Sequence, residues 1–348
     1  MATGGRLPTI KDVARLAGVG LGTVSRVLNG SGSVSEATVA RVSAAVETLG
    51  YRTNANAAAL RGRVNRVIGV LVPDLENPAI PPVVKAIERS ARAAGYSLMI
   101  TSGDRDFAVE AQAIMTMVAR GVQGLILIPT TTEGAQLDEA LGPGRMPVVL
   151  LDRDFEIKRP SIGRVFVAHD SGMYQATRHL LATGHRNLLL LHARDNRAAI
   201  SRQRGFERAL AEVAVDCSLV RGRALGCDRS AEAACALVRA ALAEAPAPDA
   251  IIAGHNRMLA GVISALGQRG LAVGRDVSVV TCDRTELAEL YSPPIAWIDR
   301  HSWQIGEAAF QVFQSLLAED GIETSPQILT VFHVTASICG RIGQNLAD

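Results

Sequence analysis

Leu21, Gly22, Thr23, Ser25 and Arg26 stand together at the start of a short stretch that follows the break Gly18-Val19-Gly20. If that stretch is a helix, its first turn presents a guanidinium, two hydroxyls and unpaired backbone N–H groups. Such a set suits a nucleic-acid duplex. Arg26 can donate to the N7 and O6 edge of a guanine in the major groove. Thr23 and Ser25, with the helix N-terminus, suit phosphate oxygens. Leu21 and Gly22 offer only apolar contact or close backbone approach, so base selection leans on Arg26 and on duplex shape. The alternative for Arg26 is a surface arginine paired with an acid. Gly18-x-Gly20-x-Gly22 also mimics part of a dinucleotide fingerprint. Thr23 stands where its third glycine belongs and no strand precedes it, so it reads as a turn.

The elements around these residues can be read from spacing. Thr9 is placed to cap a first helix in which Ile10, Val13, Ala14 and Ala17 recur at i, i+3, i+4 and i+7. A second carries Val24, Val27 and Leu28 on one face and ends near Asn29-Gly30. Ser33-Val34-Ser35-Glu36 opens a third, with Val39, Val42, Val46 and Leu49 as the expected buried stripe. Two short helices joined by a three-residue turn containing glycine have the helix-turn-helix form.

From Val67 onward apolar strands alternate with helical stretches, as in parallel sheets covered on both faces. Strands are expected at 67–72, 97–101, 124–128, 147–151, 164–167, 187–192, 250–253, 277–282 and 295–298. That number is more natural for two doubly wound lobes than for one sheet. The lobe boundary is expected near 157–163, where Lys158-Arg159-Pro160-Ser161 interrupts the pattern, and 327–333 is expected to return as a strand. Ligands of such sheets bind beyond the carboxyl ends of the strands, here between the lobes.

Charge divides along the same line. Residues 1–63 carry a net of +5 and the remainder −3, so a polyanion partner is indicated for the head alone, against the plainer reading of a solvated face. With 48% hydrophobic and 20% charged residues the 348-residue chain is globular, and aromatics at 4% argue against a surface built on stacking. No apolar run approaches a membrane span. The opening MATGGRLPTIKDVARLAG lacks the apolar stretch of an export signal, and five scattered cysteines form no C-x-x-C pair. A cytoplasmic protein without disulfide framework, metal or cofactor is expected. Seven histidines show no metal spacing, and neither a G-x-S-x-G elbow nor a phosphate loop occurs, which disfavours an enzyme.

The stretch Thr9-Ile10-Lys11-Asp12-Val13-Ala14, then Gly18-Val19, then Thr23-Val24-Ser25-Arg26-Val27-Leu28-Asn29-Gly30 resembles the DNA-binding head of the lactose-repressor (LacI/GalR) family. Leu49-Gly50-Tyr51 continues the match, as do Asp74-Leu75-Glu76-Asn77-Pro78, Gly184-His185-Arg186, Arg202-x-x-Gly205-Phe206, Asp276–Val280 and Pro293-Pro294, so the resemblance spans essentially the whole chain. It implies an all-α helix-turn-helix head (1–50), a hinge helix and linker (51–65), and a periplasmic-binding-protein-like α/β body (66–348) of two doubly wound lobes. The lobes are placed at about 66–160 and 161–295, with final strand crossings to 348. It further implies a homodimer on a pseudo-palindromic operator, acting as a repressor, whose grip is controlled by a small effector in the cleft. A transport-type solute-binding protein with the same body is the alternative, which the head residues 9–63 argue against.

The implied DNA contacts are Thr9, Leu21, Gly22, Thr23, Ser25, Arg26, Asn29, Asn54, Ala57 and Leu60. In the family a leucine matching Leu60 wedges between base pairs from the minor groove. The segment Asn54–Leu60, with four alanines, is too short to be a stable helix alone and would fold only against its dimer mate on DNA. On spacing alone it equally reads as a flexible linker. Lobe closure would bias that helix–coil equilibrium by moving the two hinge exits. The implied effector contacts are Asn77, Ala79, Ile80, Asp152, Arg153, Arg202, Asn256, Arg257, Asp283 and Arg300, each with an inter-lobe salt bridge or a helix cap as the plainer role. Departures are informative. Ala79-Ile80 replaces the usual aromatic pair, and Arg257 and Arg300 stand where acidic and uncharged residues are common. The surplus of arginine points to an anionic effector such as a sugar acid or sugar phosphate.

Overall fold

The computed structural model describes residues 8–29, 31–51, 65–130, 133–153, 155–193, 197–214, 220–318 and 325–340. The chain divides into two compact units, Met1–Asn65 and Arg66–Asp348.

The first unit holds α1 (Ile10–Ala17), α2 (Leu21–Asn29) and α3 (Glu36–Leu49). The Asp12 carboxylate accepts hydrogen bonds from both the N–H and the hydroxyl of Thr9, at 2.9 and 2.6 Å, which fixes the start of α1. Gly18 (φ 61°) ends α1 in the left-handed conformation that a side chain would resist, and so sets the turn into α2. Val13, Ala14, Ala17, Val24, Val42 and Ala45 form a small buried core. The stripe of α3 differs from expectation at one end. Val39 is 39% exposed, and the buried face begins a turn later at Val42 and includes Ala45.

The second unit contains β1 (Val67–Val72), α4 (Ile80–Ala93), β2 (Ser97–Ser102), α5 (Phe107–Ala119), β3 (Gly124–Leu127), α6 (Gly134–Leu141), β4 (Val148–Leu151) and β5 (Ile162–Ala168). After these come α7 (His169–Ala182), β6 (Asn187–His192), α8 (Arg197–Ala214), β7 (Arg221–Gly226), α9 (Ala231–Ala241), β8 (Ala250–Ala253), α10 (Asn256–Gln268), β9 (Ser278–Cys282), α11 (Glu286–Leu290), β10 (Ala296–Asp299), α12 (Ser302–Leu317), β11 (Gln327–Leu329) and β12 (Val331–His333). Two six-stranded sheets result, ordered β11-β5-β4-β3-β1-β2 and β12-β10-β9-β8-β6-β7. All pairings are parallel except β10 with β12. The central strands are continuous buried apolar runs, as two-sided coverage by helices requires.

Three features correct the expected lobe division. β5 belongs to the first sheet, in register with β4 through Leu151 and Val165, so residues 157–161 are a loop inside the first lobe, 162–163 open β5, and the chain crosses over at Ala168-His169. α12 follows a strand of the second sheet yet returns to the first lobe, burying Ile305, Ala309, Phe310 and Phe313 with Val83 and Ile87. The single returning strand is two. β11 joins the first sheet and β12 the second, with Thr330 between them accepting from the Gly172 N–H and donating to the Ala168 carbonyl, each at 2.7 Å. β7 is an addition to the expected strands, an edge strand whose sequence RGRALG has little apolar content. Among the described residues no helix is long and apolar enough to cross a membrane.

Candidate functional site

In the head, α2 is anchored by the fully buried Val24, which leaves Leu21, Gly22 and Arg26 exposed and Thr23 and Ser25 half-buried. Leu21 is 45% exposed, unusual for a leucine in so small a unit. The Arg26 side chain runs past Gly22 and Gly32, where an added Cβ would meet it at 3.9 and 3.3 Å. Arg26 makes no ion pair among the described residues, so the reading of it as half of a surface salt bridge is not what the structure has. The first turn of α2 contains no acid, which leaves the helix N-terminus open to anions. Thr9 is held in the cap of α1 by Asp12. Asn29 ends α2, and Asn54, Ala57 and Leu60 lie outside the described residues.

In the body, a cavity of about 140 Å³ lies where the carboxyl ends of the two sheets meet. The same device shapes it from both sides. Asp152 after β4 (φ 56°) and Asp283 after β9 (φ 72°) each take the left-handed conformation that short polar side chains tolerate. Each also donates its N–H to the neighbouring strand, to Val165 O at 2.8 Å and Ile298 O at 3.0 Å. The strand is thereby stopped with its terminal carboxylate at the cavity.

A wire of polar contacts then joins the lobes. Nε2 of His169 lies 2.8 Å from Asp152 Oδ2, and Arg202 Nη2 lies 3.4 Å from His169 Nδ1. Burial pushes the His169 pKa down, and the positive charges of Arg202 and Arg300 act in the same direction against the pull of Asp152. We therefore describe His169 as neutral, donating from Nε2 to the carboxylate and accepting at Nδ1. Burial alone would raise the Asp152 carboxyl. The contacts with His169, Arg153 and Arg300 outweigh it and hold the group well below the usual carboxylate range. Asp283 is likewise lowered, against its burial, by Arg300 and Arg202, and its Oδ1 lies 2.9 Å from Arg300 Nε in an ion pair without hydrogen-bond alignment. Arg202 also donates to Gly254 O at 2.9 Å. Cys282 is buried beside Arg202, and burial raises its thiol to about 11, so it stays protonated.

Of the ten expected effector contacts, Asn77, Ile80, Asp152, Arg153, Arg202, Asp283 and Arg300 line this cavity. The other three do not. Ala79 is buried beside Ile80 at the start of α4. Asn256 donates to Asn77 Oδ1 at 3.1 Å across the cleft, and Arg257 reaches over the rim to an ion pair with Glu76. Arg257 thus makes the kind of inter-lobe salt bridge weighed as its plainer role, and Asn256 an inter-lobe hydrogen bond. The sequence reading missed Arg105, Thr130, Arg229 and His255, which line the cavity from the loops after β2, β3, β7 and β8. Inspecting the polar residues just beyond every strand would have found them. His255 accepts from Arg257 N at Nδ1, which leaves Nε2–H without a partner, and burial pushes its pKa to about 4.

Comparison with known proteins agrees with this architecture. Residues 9–54 match the family described as bacterial regulatory proteins, lacI family, and residues 65–334 match periplasmic binding proteins and sugar binding domain of LacI family. The transcriptional repressor PurR of Vibrio campbellii is 32% identical over 311 residues, 88% of this chain and 91% of that protein. The transcriptional regulator DegA of Bacillus subtilis is 30% identical over 306 residues, 86% and 88% of the two chains. A crystal structure of the Lac repressor dimer bound to operator and the anti-inducer ONPF superposes with a TM-score of 0.83 at 26% identity, covering 96% of this chain and all of that one. A head with an open recognition helix, joined to a two-lobed body with a polar cleft, thus has regulators as its relatives, and the chain belongs to the LacI family of DNA-binding transcriptional regulators.

Proposed function

We propose that this protein is a cytoplasmic repressor that binds a pseudo-palindromic operator as a homodimer and releases or tightens its grip when a small anionic effector enters the cleft between the lobes. The observation that carries the effector class is the cavity lining, which among the described residues holds five arginines, Arg105, Arg153, Arg202, Arg229 and Arg300, and two aspartates, Asp152 and Asp283. Guanidinium forks suit carboxylate and phosphate oxygens. Ile80, in place of an aromatic wall, leaves little to stack on a flat ring. A sugar acid or sugar phosphate, whose hydroxyls can also use Asp283 and Asn77, meets both conditions. The reading assigns the cleft binding without turnover.

For DNA, support comes from Arg26, exposed and without an ion pair among the described residues, at an acid-free helix start, and from the operator-bound dimer that the chain resembles. Leu21, Gly22, Thr23, Ser25 and Arg26 would read the major groove, with Thr9 and Asn29 at its edges. Asn54, Ala57 and Leu60 would act in the minor groove. Selection from a pool of random duplexes by the full-length protein tests the reading. Enrichment of a two-fold symmetric sequence is expected, and recovery of no preferred sequence, with and without sugar acids, would reject it.

A further inference from the structure

Unmatched hydrogen-bonding atoms are not spread evenly through this molecule. Among the described residues, ten buried side-chain nitrogens and oxygens have no hydrogen-bond partner, and five of them belong to residues that line the cleft cavity. They are Asp152 Oδ1, His255 Nε2, Asp283 Oδ1, and Nε and Nη2 of Arg300. Buried polar groups are otherwise matched, so such a cluster is what a ligand would complete. Arg300 and Asp283 at least face each other as an ion pair, and Asp152 holds His169 with its other oxygen. His255 Nε2 has neither a hydrogen bond nor an ion pair among the described residues.

The chain around His255 dictates what that nitrogen offers. Gly254 follows β8 at a point where an added Cβ would lie 2.4 Å from Leu191 O, so only glycine lets the chain pass β6 there. His255 is then extended (φ −155°, ψ 145°) as the N-cap of α10, and its Nδ1 accepts the Arg257 N–H at 3.2 Å, a donor shared with Asn256 Oδ1. A cap made through Nδ1 fixes the tautomer, so the hydrogen of the neutral ring stands on Nε2. Protonating Nδ1 would cost the cap as well. Burial disfavours the imidazolium, and the positive charges of Arg202, Arg105 and Arg229 do so too, against Asp283, the acid that favours it. These arginines have partners of their own, and it is their field that reaches the ring.

Resting on the reading of the cleft as an effector site, we propose that His255 is its specificity residue for the acid group, a neutral imidazole that donates from Nε2 to an ionised acid oxygen of the effector. The ring is aimed in advance by α10, whose N-terminus also favours negative charge on that side. A hydroxyl oxygen can accept there too, but more weakly than an ionised one. Without the ring, the other lining residues would still hold a polyol. His255 therefore separates acids from neutral ligands rather than setting the affinity for all of them.

Titration calorimetry on the full-length protein tests this with two matched pairs, gluconate with sorbitol and glucose 6-phosphate with glucose, which also tell a carboxylate from a phosphate effector. His255→Asn keeps a good N-cap for α10 but is too short to place a donor where Nε2 stands, and a urea midpoint equal to the parent's shows that the fold is kept. It is expected to weaken the acid that the parent binds about tenfold or more, with the neutral partner changed less than about twofold. His255→Gln, whose amide reaches about as far as Nε2, should regain most of the loss. Because the ring stays neutral, acid binding near neutral pH should take up no proton when buffers of different ionisation heat are compared. An acid bound equally by the parent and His255→Asn would overturn the proposal. So would equal weakening of acid and neutral ligand, no regain in His255→Gln, or uptake of a full proton by the parent but not by His255→Asn. If the parent binds neither acid, the anionic reading of the cleft fails and takes the proposal with it, while selection of an operator by the unliganded protein would leave the repressor reading standing.

Discussion

At the scale of single residues, two side chains decide most. Arg26 combines exposure with freedom from any ion pair among the described residues, so its charge is available for a base edge. Arg26→Ala is expected to cost about 1–3 kcal/mol at one base position of each half-site and to relax preference there. Selection from random duplexes with the variant reads this directly, and an unchanged sequence logo would remove Arg26 from the readout. His255 is the second. Its folded pKa near 4 lies below the 6.5 of a free imidazole, so the unfolded chain takes up the proton first as pH falls. The contribution of this residue to stability is therefore full above pH 6.5 and is lost between about 6.5 and 4. His169 is lowered too and acts with the same sign. Urea midpoints measured against pH should show a shallower acid loss in His255→Gln than in the parent.

At the scale of elements, the sequence reads well where one force dominates. Buried parallel strands such as Val67–Val72 and Ala250–Ala253 are plain apolar runs, and α1 announces itself by cap and period together. It reads poorly where partners are distant. Nothing in Ile162–Ala168 says which sheet it joins, because that depends on Leu151 meeting Val165. α12 and β11 return to the first lobe for contacts more than a hundred residues away. The cleft followed the same rule. Asp152, Arg202 and Asp283 were legible from motif matches, whereas Arg105, Arg229 and His255 have their meaning only from the strand ends that bring them together. Thr330 is the clearest case, a threonine whose hydroxyl joins β11–β12 to the crossing at Ala168 and the start of α7. Thr330→Val keeps the shape and strips both bonds, leaving the Gly172 N–H and Ala168 carbonyl unmatched. It is expected to cost about 1–3 kcal/mol in urea unfolding, most of it regained in Thr330→Ser.

At the scale of the whole molecule, the question is what sets the spacing of the lobes when no effector is bound. The wire Asp152–His169–Arg202 runs through the crossing itself and is short. The rim is closed differently, by Asn256 on Asn77 and Arg257 on Glu76. The latter pair is largely exposed, so its own worth is about 0.2–1 kcal/mol. That is small against folding but not against a lobe equilibrium, where a comparable bias shifts populations about 1.4- to fivefold. Glu76→Lys replaces attraction with repulsion at the rim without touching the cavity lining. It is expected to weaken effector binding by that factor and to enlarge the radius of gyration measured by small-angle scattering. Glu76→Lys combined with Arg257→Glu restores the pair with its charges exchanged, and both readouts should return toward those of the parent. If the double variant binds no better than the single, the rim pair is a bystander and closure is governed at the crossing. In that case Thr330 and His169, rather than the rim, become the positions through which effector occupancy reaches the rest of the chain.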